Sequence, residues 1–244
     1  MVERATRVLL VASAAAVTVA AWAWLRAAGG EHVHSTLLVP HAHGGGMDSF
    51  LFAVLMAQVM TVAMMTPTFL RWLVVFAEFA PEASGRFSKL RRAAALAAGY
   101  LAAWLAYSLA GAAVQRLLQA GGWLEHGRLA SAAGGVLLIL AGAFQFAPIK
   151  RACLAHCRNP LSFFLARWRG SPGGGFRLGA VHGAYCMGCC WLLMATGLAM
   201  GVMNVAWMAV LTIVIAAEQV LPHGERVAGF LGLAMAGWGI SLLF

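Results

Sequence analysis

The stretch Tyr185-Cys186-Met187-Gly188-Cys189-Cys190-Trp191, residues 185–191, decides how the chain is interpreted. It places three cysteines within five residues, in a segment too apolar for an exposed loop. His182 stands four residues before the first thiol, and two further cysteines, Cys153 and Cys157, flank His156 upstream. Because reactivity or metal binding usually decides where cysteines are retained, this stretch predicts chemistry inside an apolar helix.

Composition predicts an integral membrane protein. The 244 residues are 62% hydrophobic and only 10% charged, with a mean hydropathy of +0.81. A soluble domain has about 25% charged residues, so this chain lacks the polar surface to cover a globule. The net charge of +9 lies in short clusters between apolar runs. Such clusters are typical of topology signals and of contacts to lipid head groups, so a lipid bilayer is the expected partner and nucleic acid is not.

Seven apolar segments predict an all-α fold, a polytopic transmembrane helical bundle. Residues 1–47 would form an N-terminal membrane anchor helix and a His-rich outer loop, and residues 48–244 a six-helix metal-binding membrane domain. Cleavage of the first segment as a signal peptide is the alternative and would leave six helices. The loop histidines are His32, His34, His41 and His43. The segments are about Arg7–Ala28, Asp48–Ala80, Ala93–Leu118, Leu129–Pro148, Arg177–Met203, Val205–Leu221 and Val227–Phe244.

The distribution of basic residues predicts a cytoplasmic N-terminus. In that orientation most Lys and Arg residues, including Lys150 in the polar stretch Ile149–Phe176, fall on the cytoplasmic side. The middle of this stretch, Leu161–Trp168, is expected to form a short helix on the membrane surface. The thiol cluster, Met64 and Glu218 then lie at similar depths in the cytoplasmic half of the bundle. A multi-pass protein of the bacterial inner membrane is therefore expected.

The thiol cluster predicts a metal site. His182, Cys186 and Cys189 are spaced i, i+4 and i+7, so they form one stripe of a helix, flanked by Cys190. Thiolate and imidazole donors suit soft or borderline transition metals, so copper is favoured, with zinc as the alternative. The competing interpretation is that these cysteines are neutral, buried, small hydrophobic residues.

Two further sets of residues are candidate ligands. Cys153, His156 and Cys157 have the spacing of half a zinc site, and we interpret them as an uptake or release site or as incidental thiols. Glu218, an acidic residue in an apolar segment, is a candidate ligand or proton acceptor. Met64 would complete the inner shell, although methionines on one helical face are also common core filler.

Three runs of sequence resemble a bacterial and archaeal family described as predicted metal-binding integral membrane proteins, a domain of unknown function. The runs are Ala63–Pro67, Phe144–Lys150 continuing through Cys153, His156 and Cys157, and His182–Trp191. The resemblance covers about Asp48 to the C-terminus. It implies metal binding within a membrane bundle and brings no reaction with it. This sequence departs from the family pattern at Gln219, where a basic residue is expected.

We therefore expect a metal-binding membrane protein for metal trafficking, transport or tolerance, with a metal chaperone or a membrane protein as partner. No nucleophile motif or phosphate loop is visible, so no enzymatic activity is expected. One alternative is a thiol–disulfide carrier, in which Cys186 and Cys189 exchange with Cys153 and Cys157. Another is an accessory subunit that scaffolds a membrane complex.

Overall fold

A computed structural model describes residues 2–28, 47–79, 86–125, 128–167, 173–201 and 204–244. Each of the seven predicted segments contains a helix, so the predicted all-α fold is confirmed; the His-rich loop lies outside the described residues. The elements are α1 (Val2–Ala28), α2 (Met47–Phe79), α3 (Arg86–Ala120), β1 (Leu124–Glu125), β2 (Arg128–Leu129), α4 (Ser131–Phe144), α5 (Pro148–Arg158), α6 (Pro160–Arg167), α7 (Gly174–Ala195), α8 (Gly197–Met200), α9 (Val205–Val220) and α10 (Gly224–Ser241). β1 and β2 form a short antiparallel hairpin.

Four of the described helices are long and apolar enough to cross a membrane. These stretches are Ala5–Ala27, Ser49–Ala77, Phe87–Ala120 and Gly174–Met200. A fifth would arise if α4 and α5, which are bent by 64° at the break between them, formed one interrupted span. α9 is apolar but shorter, so the number of membrane-spanning segments stays a prediction.

The predicted polar stretch contains α5 and α6, which are packed more deeply than their polarity predicts. The Lys150 side chain of α5 is only 1% exposed. Our placement of Lys150 among the charges that face lipid head groups is therefore wrong, because Glu218 supplies a buried partner from a distant helix. In α6, Phe163 packs edge-on against the ring of Trp72, with centroids 5.0 Å apart. The apolar face of this helix thus packs against the protein.

α3 and α7 approach each other until their backbones touch. A Cβ atom added to Gly99 would lie 1.9 Å from the carbonyl oxygen of Phe176, and one added to Gly179 would lie 1.9 Å from that of Leu96. No side chain fits at either position, so glycine is what permits this close approach. A similar close approach at glycines occurs between α4 and α10, where Gly135 faces Gly239.

A carbonyl group left unpaired by a proline in α2 accepts a hydrogen bond from α1. Pro67 lies inside α2 and has no N–H group, so the carbonyl of Ala63, four residues earlier, loses its helical hydrogen bond. The indole Nε1 of Trp22 on α1 donates to that carbonyl at 3.0 Å. The interrupted hydrogen-bond ladder of α2 therefore becomes an attachment point for α1.

We expect Gly99→Ala to lower the melting temperature of the purified protein by about 3–10 °C, because overpacking costs about 1–3 kcal/mol. Gly111→Ala is the matched control, since it lies on the same helix and a Cβ there meets nothing within 4 Å. Thermal unfolding in detergent, followed by tryptophan fluorescence, measures both. Equal shifts for the two variants would contradict the backbone contact.

Candidate metal centre

Three cysteine side chains from two helices meet in the interior. Cys186 and Cys189 lie on successive turns of α7, and α5 brings Cys157 against them. Their three Sγ atoms all lie within 4.8 Å of one another, and each residue is at most 2% exposed. At a metal–sulfur distance of about 2.3 Å, sulfurs around one ion lie about 3.7–4.0 Å apart, so a small contraction would close the group on an ion. Cys157, Cys186 and Cys189 are called the three-thiol centre below.

Two neutral hydrogen-bonding groups contact the three-thiol centre. The Tyr100 hydroxyl of α3 lies 3.2 Å from Cys186 Sγ. The Gln219 amide of α9 donates toward the Sγ atoms of Cys186 and Cys189, at 3.9 Å each. Hydrogen bonds to sulfur stabilise the thiolate, which is the form that binds metal. We did not identify Tyr100 or Gln219 as functional from the sequence. The feature that could have indicated them is a polar side chain inside an otherwise apolar helix.

His182 is buried close to the three-thiol centre but is held by aromatic rings. Its imidazole stacks on Trp72 with ring centroids 3.5 Å apart, and it stacks on Tyr100 at 5.4 Å. Trp72 also donates from Nε1 to the carbonyl of Cys157 at 3.3 Å. His182 is not part of the three-thiol group that the described residues form, although its buried Nδ1 has no hydrogen-bond partner. Its role as a ligand stays a prediction.

The two cysteines outside the centre, Cys190 and Cys153, differ in burial. Cys190 is fully buried, and its Sγ donates to the carbonyl of Cys186 at 2.9 Å. Cys153 is half-buried and lies one turn before Cys157 on α5. A Cβ atom on Gly188 would lie 2.8 Å from Cys153 Sγ, so the absence of a side chain there lets Cys153 approach α7. Cys153 thus lies between the surface and the buried thiols.

The remaining predicted ligands are dispersed. His156 is exposed and stacks on Tyr185, with ring centroids 4.3 Å apart. Glu218 pairs with Lys150, its carboxylate Oε2 lying 2.7 Å from the lysine Nζ. Met64 is 1% exposed in the core of the bundle. The predicted second cysteine group is therefore divided, since Cys157 joins the buried centre and His156 faces outward.

The donor set determines which ions the centre suits. Three sulfur atoms are soft donors, and the carboxylate of Glu218 is already paired with a lysine. Soft thiolates select Cu(I) or Zn²⁺, whereas Mg²⁺ and Ca²⁺ require oxygen ligands. The described part of the chain therefore provides a centre for a soft or borderline transition metal. All five cysteines are free thiols.

The comparisons with known proteins agree with this chemistry. A family model described as PpoB2, copper chaperone, matches residues 54–242, which include all five cysteines. The match extends over more than three quarters of the 244 residues. Comparison with curated proteins and with solved structures gives no match.

The exposure of the thiols predicts an order of reactivity. In the folded, metal-free protein, maleimide should modify Cys153 at least about tenfold faster than the three-thiol centre or Cys190, because the buried thiols react only after local opening. Mass spectrometry of the labelled peptides measures each rate. In denaturant all five should react alike. Labelling of Cys186 as fast as Cys153 would contradict the buried position of the centre.

Proposed function

Because the chain belongs to the PpoB2 family of copper chaperones, we propose that its three-thiol centre binds copper as Cu(I) and transfers it to another protein. The observation that carries the proposal is the convergence of three buried Sγ atoms within 4.8 Å. Thiolates buried without a cation would be unfavourable, and a bound Cu(I) ion would offset part of their negative charge. Zinc is the alternative metal, since the same donors bind it.

The protein groups around the centre support this role. The hydrogen bonds from Tyr100 and Gln219 favour the thiolate form of Cys186. The stacked rings of Trp72 and His182 are buried, and Trp72 donates to the carbonyl of Cys157. Cys190 and His182, buried on the same helix as two of the thiols, and Met64, buried in the core, stay candidates for additional ligands, because they lie outside the three-thiol group.

We further propose that Cys153 is the uptake or release thiol. It is the half-buried cysteine, and it lies one helical turn from Cys157. Copper would pass from a partner's thiolate to Cys153 and then to Cys157, with each new copper–sulfur bond forming as an earlier one breaks. The exposed His156 lies on the same helix and is a candidate for a passing contact.

The proposed location is the bacterial inner membrane, with several spans and a cytoplasmic N-terminus. The four long apolar helices support it, as do large exposed side chains such as Phe230 and Ile213. In this proposal the chain is not an enzyme, and its partner is a copper-donating or copper-receiving protein. A thiol–disulfide carrier remains the second candidate, because thiols as close as Cys186 and Cys189 could also form a disulfide.

The first test is copper retention. Cys186→Ser combined with Cys189→Ser should lower copper bound to the full-length protein at least about tenfold, because a hydroxyl is a poor ligand for Cu(I). Elemental analysis of the protein after incubation with Cu(I) and gel filtration measures copper and zinc together. Ala184→Ser, at an exposed position of the same helix, is the control. Cys190→Ser is measured as well, and copper loss there would extend the ligand set to four sulfurs; unchanged copper in the double variant would refute the centre.

The second test is the rate of transfer. We expect Cys153→Ser to slow copper removal by a competing chelator about tenfold while leaving the bound copper unchanged at equilibrium, since a relay thiol affects exchange more than affinity. Stopped-flow absorbance measures the rate. Ala155→Ser, on the exposed side of the same helix, is the control. An unchanged rate would remove Cys153 from the transfer route.

A further inference from the structure

A buried ion pair lies close to the three-thiol centre. Lys150 of α5 and Glu218 of α9 are each 1% exposed, and their Nζ and Oε2 atoms are 2.7 Å apart. The ammonium group also donates to the side-chain carbonyl of Gln145, at the end of α4. Both charges are thus held inside the protein, where an unpaired charge would be strongly unfavourable.

The ion pair lies on the same helical stripe as a metal ligand. The buried residues of α5 are Lys150, Leu154 and Cys157, spaced i, i+4 and i+7. This stripe is the side of α5 that faces the bundle. Lys150 and Cys157 therefore lie on the same buried face of α5.

The partner helix carries a contact to the other two thiols. Glu218 is followed directly by Gln219, whose amide donates toward Cys186 and Cys189. The ion pair consequently links the helix of Cys157 to the helix that already contacts the α7 thiols. α5 is separated from α4 by a 64° bend and does not continue that helix, so it is held by side-chain contacts: this ion pair near its start, and Arg158 near its end, which donates to the carbonyls of Leu221 and Pro222.

The hydrogen bonding around Lys150, Glu218 and Gln145 is incomplete. Glu218 Oε1 and Gln145 Nε2 are buried and have no hydrogen-bond partner. A well-packed apolar pair would commonly be as stable as a buried ion pair or more so. A contribution to stability is therefore a weak explanation for burying Lys150 and Glu218. A role in orienting α5 would explain why the pair joins this helix to α9.

We propose that the Lys150–Glu218 ion pair is a positioning pair that holds Cys157 in place as the third thiol of the centre. The copper-binding consequence rests on the proposed function, but the position of Cys157 does not. Without the pair, α5 turns or withdraws, and the centre is reduced to Cys186 and Cys189. Neither Lys150 nor Glu218 is a metal ligand in this account.

The first experiment measures the position of Cys157 without metal. In the full-length protein with Lys150→Met and Glu218→Gln, maleimide labelling of Cys157 should rise at least about tenfold, toward that of Cys153. The change removes both charges together, so neither is left buried alone. Arg151→Met is the control, because Arg151 is the next residue of the same helix and is exposed.

The labelling rate of Cys190 distinguishes repositioning of α5 from unfolding of the protein. Cys190 is fully buried on α7 and is not part of the ion-pair cluster, so its labelling should stay slow in a folded variant. If Cys190 also becomes reactive, the fully apolar pair Lys150→Met with Glu218→Met is measured instead, which again leaves no charge buried alone. Protected Cys157 in a folded variant overturns the proposal, whatever the protein does with copper.

The second experiment counts sulfur ligands. X-ray absorption of the Cu(I)-loaded protein should give three sulfurs for the unaltered chain and two for the double variant, with copper affinity reduced about 10–100-fold. Cys157→Ser should give the same spectrum. Three sulfurs in the double variant would overturn the positioning role while leaving copper binding intact. An unaltered chain that binds no copper would refute the proposed function, and the labelling result would still decide the role of the pair.

Discussion

α3 and α7 meet through their backbones at Gly99 and Gly179, where any side chain would collide with a carbonyl oxygen. This contact sets how closely α3 approaches the two thiols of α7. Tyr100 directly follows Gly99, and its hydroxyl reaches Cys186 on α7 because the two helices are so close. A wider separation would remove that hydrogen bond and would open the interior beside the thiols. The environment of the sulfur atoms therefore depends on the tight packing of α3 against α7.

The local part of the site could be predicted from the sequence, and the long-range part could not. Helical spacing placed Cys186 and Cys189 on one stripe of α7, where the structure has them. The same spacing put His182 on that stripe, but spacing identifies a face and not the neighbours of that face. Trp72 comes from another helix and stacks on the imidazole. Cys157 comes from α5, which follows a 64° bend after α4, and the spacing of the cysteines does not identify which helix this thiol will meet.

The charges illustrate the same limit. Lys150 belongs to a basic, polar stretch, and the sequence pattern indicated a solvated position. Its burial depends on Glu218, which lies far away in the sequence and reaches it only in the folded chain. The predicted all-α fold did not depend on such pairs, because apolar segment length and the scarcity of charges are properties of the local sequence. The sequence pattern is thus a good guide to which segments form helices and a poor guide to which buried polar groups meet.

A copper chaperone must hold its ion firmly and still release it. The arrangement of the thiols is compatible with both requirements, because the three sulfurs do not belong to one rigid element. Cys186 and Cys189 lie on a helix fixed by backbone contacts to α3, whereas Cys157 lies on a short helix of 11 residues beyond a bend. Displacing α5 would remove one sulfur and leave the other two in place. Since Cys153 lies on that same short helix, the motion that weakens binding would also move the half-buried thiol. In the proposed mechanism, affinity and access are coupled through α5, and the contacts that hold this helix would control both.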